Sequence, residues 1–144
     1  MMIYCCTCRK DVNAVQVSGM TLFARRPDVW KNKFYQCPHC LNYTSARRDI
    51  ETGEYKPIGF IASPALRAER VRLHEMFDPI WQNDLNPTQS RKGWYKYIAY
   101  GLYGAARKKF HFGELKSFYE CKRAEAMIRK IIKRNKLKNK KSLV

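Results

Sequence analysis

Two Cys-x-x-Cys pairs, Cys5-Cys6-Thr7-Cys8 and Cys37-Pro38-His39-Cys40, are the residues of this 144-residue chain best placed to do chemistry. Four thiolates delivered as two short hooks are what a single tetrahedral zinc ion takes in a structural site. Each hook closes a tight turn, so backbone N–H groups can face the sulfurs and the two sulfurs sit about one ligand edge apart. The stretch between the hooks, Arg9 to Gln36, is longer than is usual for such pairs and suits an antiparallel hairpin. Iron in a rubredoxin-like site would accept the same four ligands.

Other uses of these cysteines fit less well. Disulfides belong to exported chains, and Met1-Met2-Ile3-Tyr4 does not begin a basic region followed by an apolar core. A redox Cys-x-x-Cys comes singly, at the start of a helix that follows a strand. Cys6 competes with Cys5, but the two-residue gap to Cys8 favours Cys5. His39 lies inside its hook and points away from the metal. Cys121 reads as a small buried residue of a helix. With thiols kept reduced, the expected compartment is cytoplasmic.

The net charge is +17, and it is unevenly placed. Residues 1–60 carry nine Lys/Arg against five Asp/Glu, whereas residues 61–144 carry twenty against seven. From Arg91 onward the only acids are Glu114, Glu120 and Glu125, against seventeen basic residues. Such a balance calls for polyanionic partners: nucleic acid, a nucleoprotein or an acidic protein surface. No apolar run approaches the roughly 20 residues that span a bilayer, so no membrane partner is expected.

The expected fold class is therefore α+β: an N-terminal four-cysteine zinc ribbon of short antiparallel strands over 1–62, then a basic three-helix module over 63–134. A basic tail over 135–144 is expected to be disordered when free. In the ribbon, Ala14-Val15-Gln16-Val17 alternates, Ser18-Gly19 turns and Thr21-Leu22-Phe23 resumes an extended run. Arg25 to Asp28 is a loop, and Val29-Trp30 and Phe34-Tyr35 lead into the second hook. Tyr43 to Ile50 and Tyr55 to Ile61 read as two more strands around Glu51-Thr52-Gly53. Segments this short cannot bury enough surface to hold themselves, and metal binding supplies the difference.

The first helix starts at Ser63-Pro64, a capping residue with proline at the first helical position. Leu66, Leu73, Met76, Phe77, Ile80 and Trp81 form its apolar stripe, and Pro79 should end or kink it near Asp78. Asn83 to Pro87 is a linker. The second helix is expected from Ser90 to Tyr103 with Gly104 as its stop; Trp94, Tyr95, Ile98, Ala99 and Leu102 face the core. Tyr97 and Tyr100 lie on the other side beside Lys96, able to stack on bases or to pack on a neighbouring element. The third helix is expected from Leu115 to Lys136. Cys121, Ala124, Ile128, Ile131 and Ile132 make its apolar stripe, and Lys122, Arg123, Arg129, Lys130, Lys133 and Arg134 cover the opposite face. Solvated helix faces normally mix signs, and this one does not. With Arg107, Lys108 and Lys109, and with Tyr97 and Tyr100, these residues are the candidate nucleic-acid-binding surface.

Several stretches in order resemble an uncharacterised phage and prophage family that contains a zinc finger. They are the two hooks; Pro57 to Ala62; Leu66-Arg67 with Leu73-His74-Glu75-Met76-Phe77-Asp78-Pro79-Ile80-Trp81; Ser90-Arg91 with Tyr95; and His111-Phe112-Gly113 with Cys121. The run His74 to Trp81 is the most specific. After the second hook, members of that family carry a Tyr-Val-Gly-x-His-like stretch where this chain has Tyr43-Thr44-Ser45-Ala46-Arg47. The resemblance implies a phage-associated zinc protein and lends no activity.

Catalysis is not expected. His74, Glu75 and Asp78 invite a metal-dependent nuclease, but a His-Asn-His arrangement on strand, turn and helix is missing. So are a glycine-rich phosphate loop and a Gly-x-Ser-x-Gly turn. Two readings remain ahead of the nuclease. One is a nucleic-acid-binding protein (DNA or RNA) that contacts phosphates through its C-terminal helices. The other is a phage effector that docks on a host nucleoprotein machine such as polymerase, ribosome or a defence complex.

Overall fold

The computed structural model describes residues 1–104 and 110–142, with side chains through Lys136. The chain forms two compact units, Met1–Arg67 and Ala68–Val144. The first is built from strands β1 (Met2–Cys5), β2 (Lys10–Asn13), β3 (Val15–Ser18), β4 (Lys33–Gln36), β5 (Tyr43–Arg48) and β6 (Tyr55–Pro57), with a single-turn helix α1 (Gly19–Leu22) after β3. Strands β1 and β2 form a hairpin, and β3-β4-β5-β6 form an antiparallel four-stranded sheet.

Strand β4 is the centre of this unit because it is buried on both faces. Tyr35 joins Ile3, Cys5, Val12, Ala14, Cys37 and Ile61 in one cluster. The neighbouring Phe34 points the other way, onto Phe23 and Tyr43, with both ring centroids at 5.5 Å. Ile61 stitches the hairpin down: its N–H donates to the Tyr4 carbonyl, and its own carbonyl accepts from the Cys6 N–H.

Several expectations for 1–62 change. Thr21 and Leu22 belong to α1 rather than to an extended run, because Gly19 comes so close to the Val29 carbonyl that a Cβ would lie 1.7 Å from its oxygen. The loop expected over Arg25 to Asp28 runs into a 3-10 turn from Pro27 to Val29, and Trp30 donates its indole N–H to the Phe23 carbonyl. The strand expected over 55–61 stops at Pro57. The turn at Gly53, with φ of 74°, is where it was expected.

The second unit holds most of helix α2 (Pro64–Gln82), then α3 (Pro87–Tyr103) and α4 (Phe118–Ser142). Pro79 neither ends nor breaks α2: it sits on the exposed side in the last turn, where only one backbone bond is lost, and its carbonyl still accepts from Asn83. Helix α3 starts earlier than Ser90, at Pro87, with the Asn86 side chain accepting the Gln89 N–H; it stops at Gly104, φ 83°, as expected. Helix α4 starts later than Leu115. Ser117 caps it by accepting the Glu120 N–H, and Glu120 reaches back to the Lys116 N–H, a reciprocal capping box. Its backbone stays helical to Ser142, beyond Arg134, where the disordered tail was expected to begin.

The core of this unit joins Leu73 and Phe77 of α2, Ile98, Ala99 and Leu102 of α3, and Cys121, Ala124, Ile128 and Ile131 of α4. Phe110, Phe112 and Leu115, which no periodicity singled out, are equally buried, and Phe77, Tyr95, Phe110 and Phe112 form a ring cluster. Arg70 is buried beside them, donating Nε and Nη2 to the Leu115 carbonyl. Arg70→Met should lower the stability of the helical unit by about 2–3 kcal/mol, since a buried carbonyl loses charge-assisted donors. An unchanged denaturation midpoint would mean that Leu115 finds another donor.

Candidate metal centre and basic helix face

The two hooks occupy the turns of the β1–β2 and β4–β5 hairpins. They are built alike. In each, the residue after the second cysteine donates its N–H to the carbonyl of the first: Arg9 to Cys5 at 2.8 Å, Leu41 to Cys37 at 3.0 Å. Both of those residues adopt positive φ, 57° and 64°, a conformation that side chains other than glycine seldom take. The Asn42 amide donates to the Thr7 hydroxyl at 3.0 Å and ties one turn to the other.

This geometry brings the Sγ atoms of Cys5, Cys8, Cys37 and Cys40 within 4.8 Å of one another. Cys5 lies 3.6 Å from Cys40, and Cys8 lies 3.8 Å from Cys37, sulfur to sulfur. A tetrahedral thiolate site with metal–sulfur bonds of about 2.3 Å has edges of about 3.8 Å, so the donor set fits one metal ion. Cys6 and His39 stay outside the group, as their positions in the hooks predicted. Cys121 is a buried core residue whose thiol burial pushes up to about 11.

The electrostatics of the four thiols explain why they need a cation. Burial alone would raise Cys37, but the N–H groups of Cys40 and His39, with help from the Cys40 and Cys8 sulfurs, bring it down to about 7. Cys8 goes the other way, to about 12, through burial and then through the sulfurs of Cys37, Cys5 and Cys40. Burial also raises Cys40. Four packed sulfurs cannot all ionise against one another, and a bound divalent ion makes all four thiolates favourable.

Among the described residues, no other group of three or more His, Cys, Asp or Glu side chains lies close enough to hold a metal. His74 and Asp78 do come together: Nδ1 lies 2.7 Å from Oδ2, and the Trp81 indole donates to Oδ1 at 2.9 Å. Glu75 is exposed on another side of α2, and exposed His111 precedes a 3-10 turn. On α2 the sequence-singled residues thus come together as one acid–imidazole pair, His74 with Asp78.

The basic candidates sit as follows. Lys122, Arg123, Arg129, Lys130, Lys133 and Arg134 are all exposed on α4, opposite its buried stripe. Arg129 pairs with Glu125 at 3.2 Å, and Glu125 also takes Arg72 at 2.9 Å, which holds its carboxyl below the usual range. Arg123 donates to the Gly101 carbonyl, and Arg134 lies over the Tyr97 ring, 5.4 Å from its centroid. Among the described residues, Lys122, Lys130 and Lys133 have no carboxylate in ion-pair range. Tyr97 is half-buried between Trp94 and Arg134, while Tyr100 is 66% exposed. Arg107, Lys108 and Lys109 lie outside the described residues.

Sequence reasoning missed Tyr119. It is 71% exposed, with Arg123 5.9 Å from its ring, and the aromatic–basic pairing at a spacing of four was the available signal. Among the described residues, no helix is long and apolar enough to cross a membrane.

No curated protein and no solved structure matches the chain. A family model described as a zinc-finger-containing domain matches residues 1–133, from ahead of the first hook to Lys133 of α4. With the four sulfurs gathered as such a domain requires, the chain belongs to the DUF3268 family of zinc-finger-containing domains.

Proposed function

We propose that the chain is a zinc-stabilised, non-catalytic nucleic-acid-binding protein of phage origin that works in the bacterial cytosol. The observation that carries this reading is the outward face of α4. Its Lys122, Lys130 and Lys133 ammonium groups stand in solvent without acidic relief among the described residues. A face that only needed to be wet would mix signs. Cations without partners are matched by phosphates, and binding gains free energy by releasing the counterions condensed on a polyanion. The all-thiolate donor set favours zinc, which when bound cross-links the two hairpins. Reduced thiols support a cytosolic setting, and the phage setting rests on the sequence resemblance.

The test is a salt titration of binding to duplex and single-stranded oligonucleotides of random sequence. If α4 neutralises about four phosphates, log K against log salt should fall with a slope of about −3 to −4. Affinity would then drop about a hundredfold between 50 and 200 mM salt. Binding that ignores salt, or no binding at low salt, would remove phosphate recognition.

A second reading, docking on a host nucleoprotein machine, draws on Leu85. It is fully exposed at the rim of a groove of about 530 Å³ that Met76, Ile80 and Ile132 help to line. Recovery of a stoichiometric host protein on the tagged chain after nuclease treatment would favour it. Recovery of nothing would remove it.

A further inference from the structure

We infer that the polyanion is single-stranded, with bases stacked along the α3–α4 seam; this rests on the phosphate-binding reading above and deepens it. The seam is unusually close. A Cβ at Gly101 of α3 would lie 2.0 Å from Cε of Met127, and the Gly101 carbonyl accepts from the Arg123 guanidinium at 2.9 Å. The helices run antiparallel there, since Tyr97 meets Arg134 while Tyr103 meets Glu120. That approach lays the Tyr97 ring of α3 against the Arg134 guanidinium of α4, while Tyr119 and Arg123 pair within α4.

Two tyrosine–arginine pairs lie beside the seam. Tyr119 lies under Arg123, with the guanidinium 5.9 Å from the ring, and Tyr97 lies under Arg134 at 5.4 Å. Tyr100 stands one turn from Tyr97 and is 66% exposed; Tyr119 is 71% exposed. From Tyr119 to Arg134 this strip covers about 22 Å of helix, long enough for several nucleotides. Lys130 and Lys133 border it on α4.

Contact with a duplex backbone would use the lysines and arginines and leave the tyrosine faces idle, because paired bases keep their faces inside the stack. A single strand offers both phosphates and free base faces, and every base can stack on a tyrosine ring or an arginine plane. Tyr119 left in water beside Arg123, and exposed Tyr100 one turn from Tyr97, therefore fit a single strand better than a duplex. Stacking of this kind is tolerant of sequence.

The experiment uses the full metal-loaded chain and anisotropy of labelled oligonucleotides of about 20 nucleotides. It compares a single strand, its duplex and an abasic single strand, in DNA and RNA forms, at one salt concentration. The single strand should bind about tenfold or more tighter than the duplex, and the abasic strand should lose that advantage. Tyr100→Ala and Tyr119→Ala, both at exposed positions, should each weaken single-strand binding about fivefold or more and leave duplex binding and the salt slope unchanged. Tyr100→Phe should restore it. Equal affinity for single strand, duplex and abasic strand, with the tyrosine variants unchanged and a steep salt slope retained, would overturn stacking and leave phosphate binding standing. Absence of any salt-dependent binding would overturn both.

Discussion

Chelation of the metal, or Cys37→Ser, will unfold residues 1–67 and leave the helical content of the second unit in place. The reason lies in the composition of the small core. Of the seven buried residues Ile3, Cys5, Val12, Ala14, Tyr35, Cys37 and Ile61, two are themselves ligands. The strands are three to six residues long, and hairpins of that size are marginal in water. A structural zinc ion contributes on the order of 10 kcal/mol in small modules. Native mass spectrometry should find one zinc per chain. After chelation, the dispersed amide resonances of residues such as Tyr35 and Thr44 should collapse while helical circular dichroism persists. Cys6→Ser should retain the metal, since Cys6 is outside the sulfur group. Full dispersion in the metal-free protein would end the idea that metal holds this unit.

The second large effect is expected from Lys130→Glu combined with Lys133→Glu. Both side chains project from the side of α4 that faces away from Ile128 and Ile131, so the fold should tolerate the change. Nucleic-acid affinity should fall about ten- to a hundredfold, and the salt slope should shrink by about two, one unit for each phosphate contact removed. Thermal midpoint and metal content should stay those of the parent protein. Unchanged affinity at low salt would take α4 out of the binding surface. A similar change at Arg129 should do less, because its guanidinium already shares Glu125 with Arg72.

Much of the candidate surface was legible before any coordinates. The α4 stripe of Cys121, Ala124, Ile128 and Ile131 follows from a period of 3.6, and the basic face is what remains when that stripe is turned inward. Local reading failed where two signals competed. Ser90 looks like a cap, yet Asn86-Pro87 starts α3 three residues sooner because proline arrives already set in helical φ. Pro79 looks like a terminator, yet in the last exposed turn of α2 its missing N–H costs one bond and no more. Thr21 and Leu22 look extended, yet the close approach of Gly19 to Val29 bends them into α1.

The cysteine spacing alone determined the metal site, because a Cys-x-x-Cys turn delivers two sulfurs in one place whatever surrounds it, and two such turns need only meet. Charge order along the chain likewise determined that most of the basic residues fall in the helical half. Tertiary structure decided the rest. It chose Cys5 over Cys6 by placing Cys5 in the core and setting Arg9 at positive φ behind Cys8. It gave Arg70, which the helical period places on the apolar stripe of α2 between Leu66 and Leu73, the Leu115 carbonyl as a partner. It also set Tyr97 of α3 under Arg134 of α4, through a helix crossing that Gly101 makes close. That pairing joins residues far apart in the chain, and no local spacing encodes it.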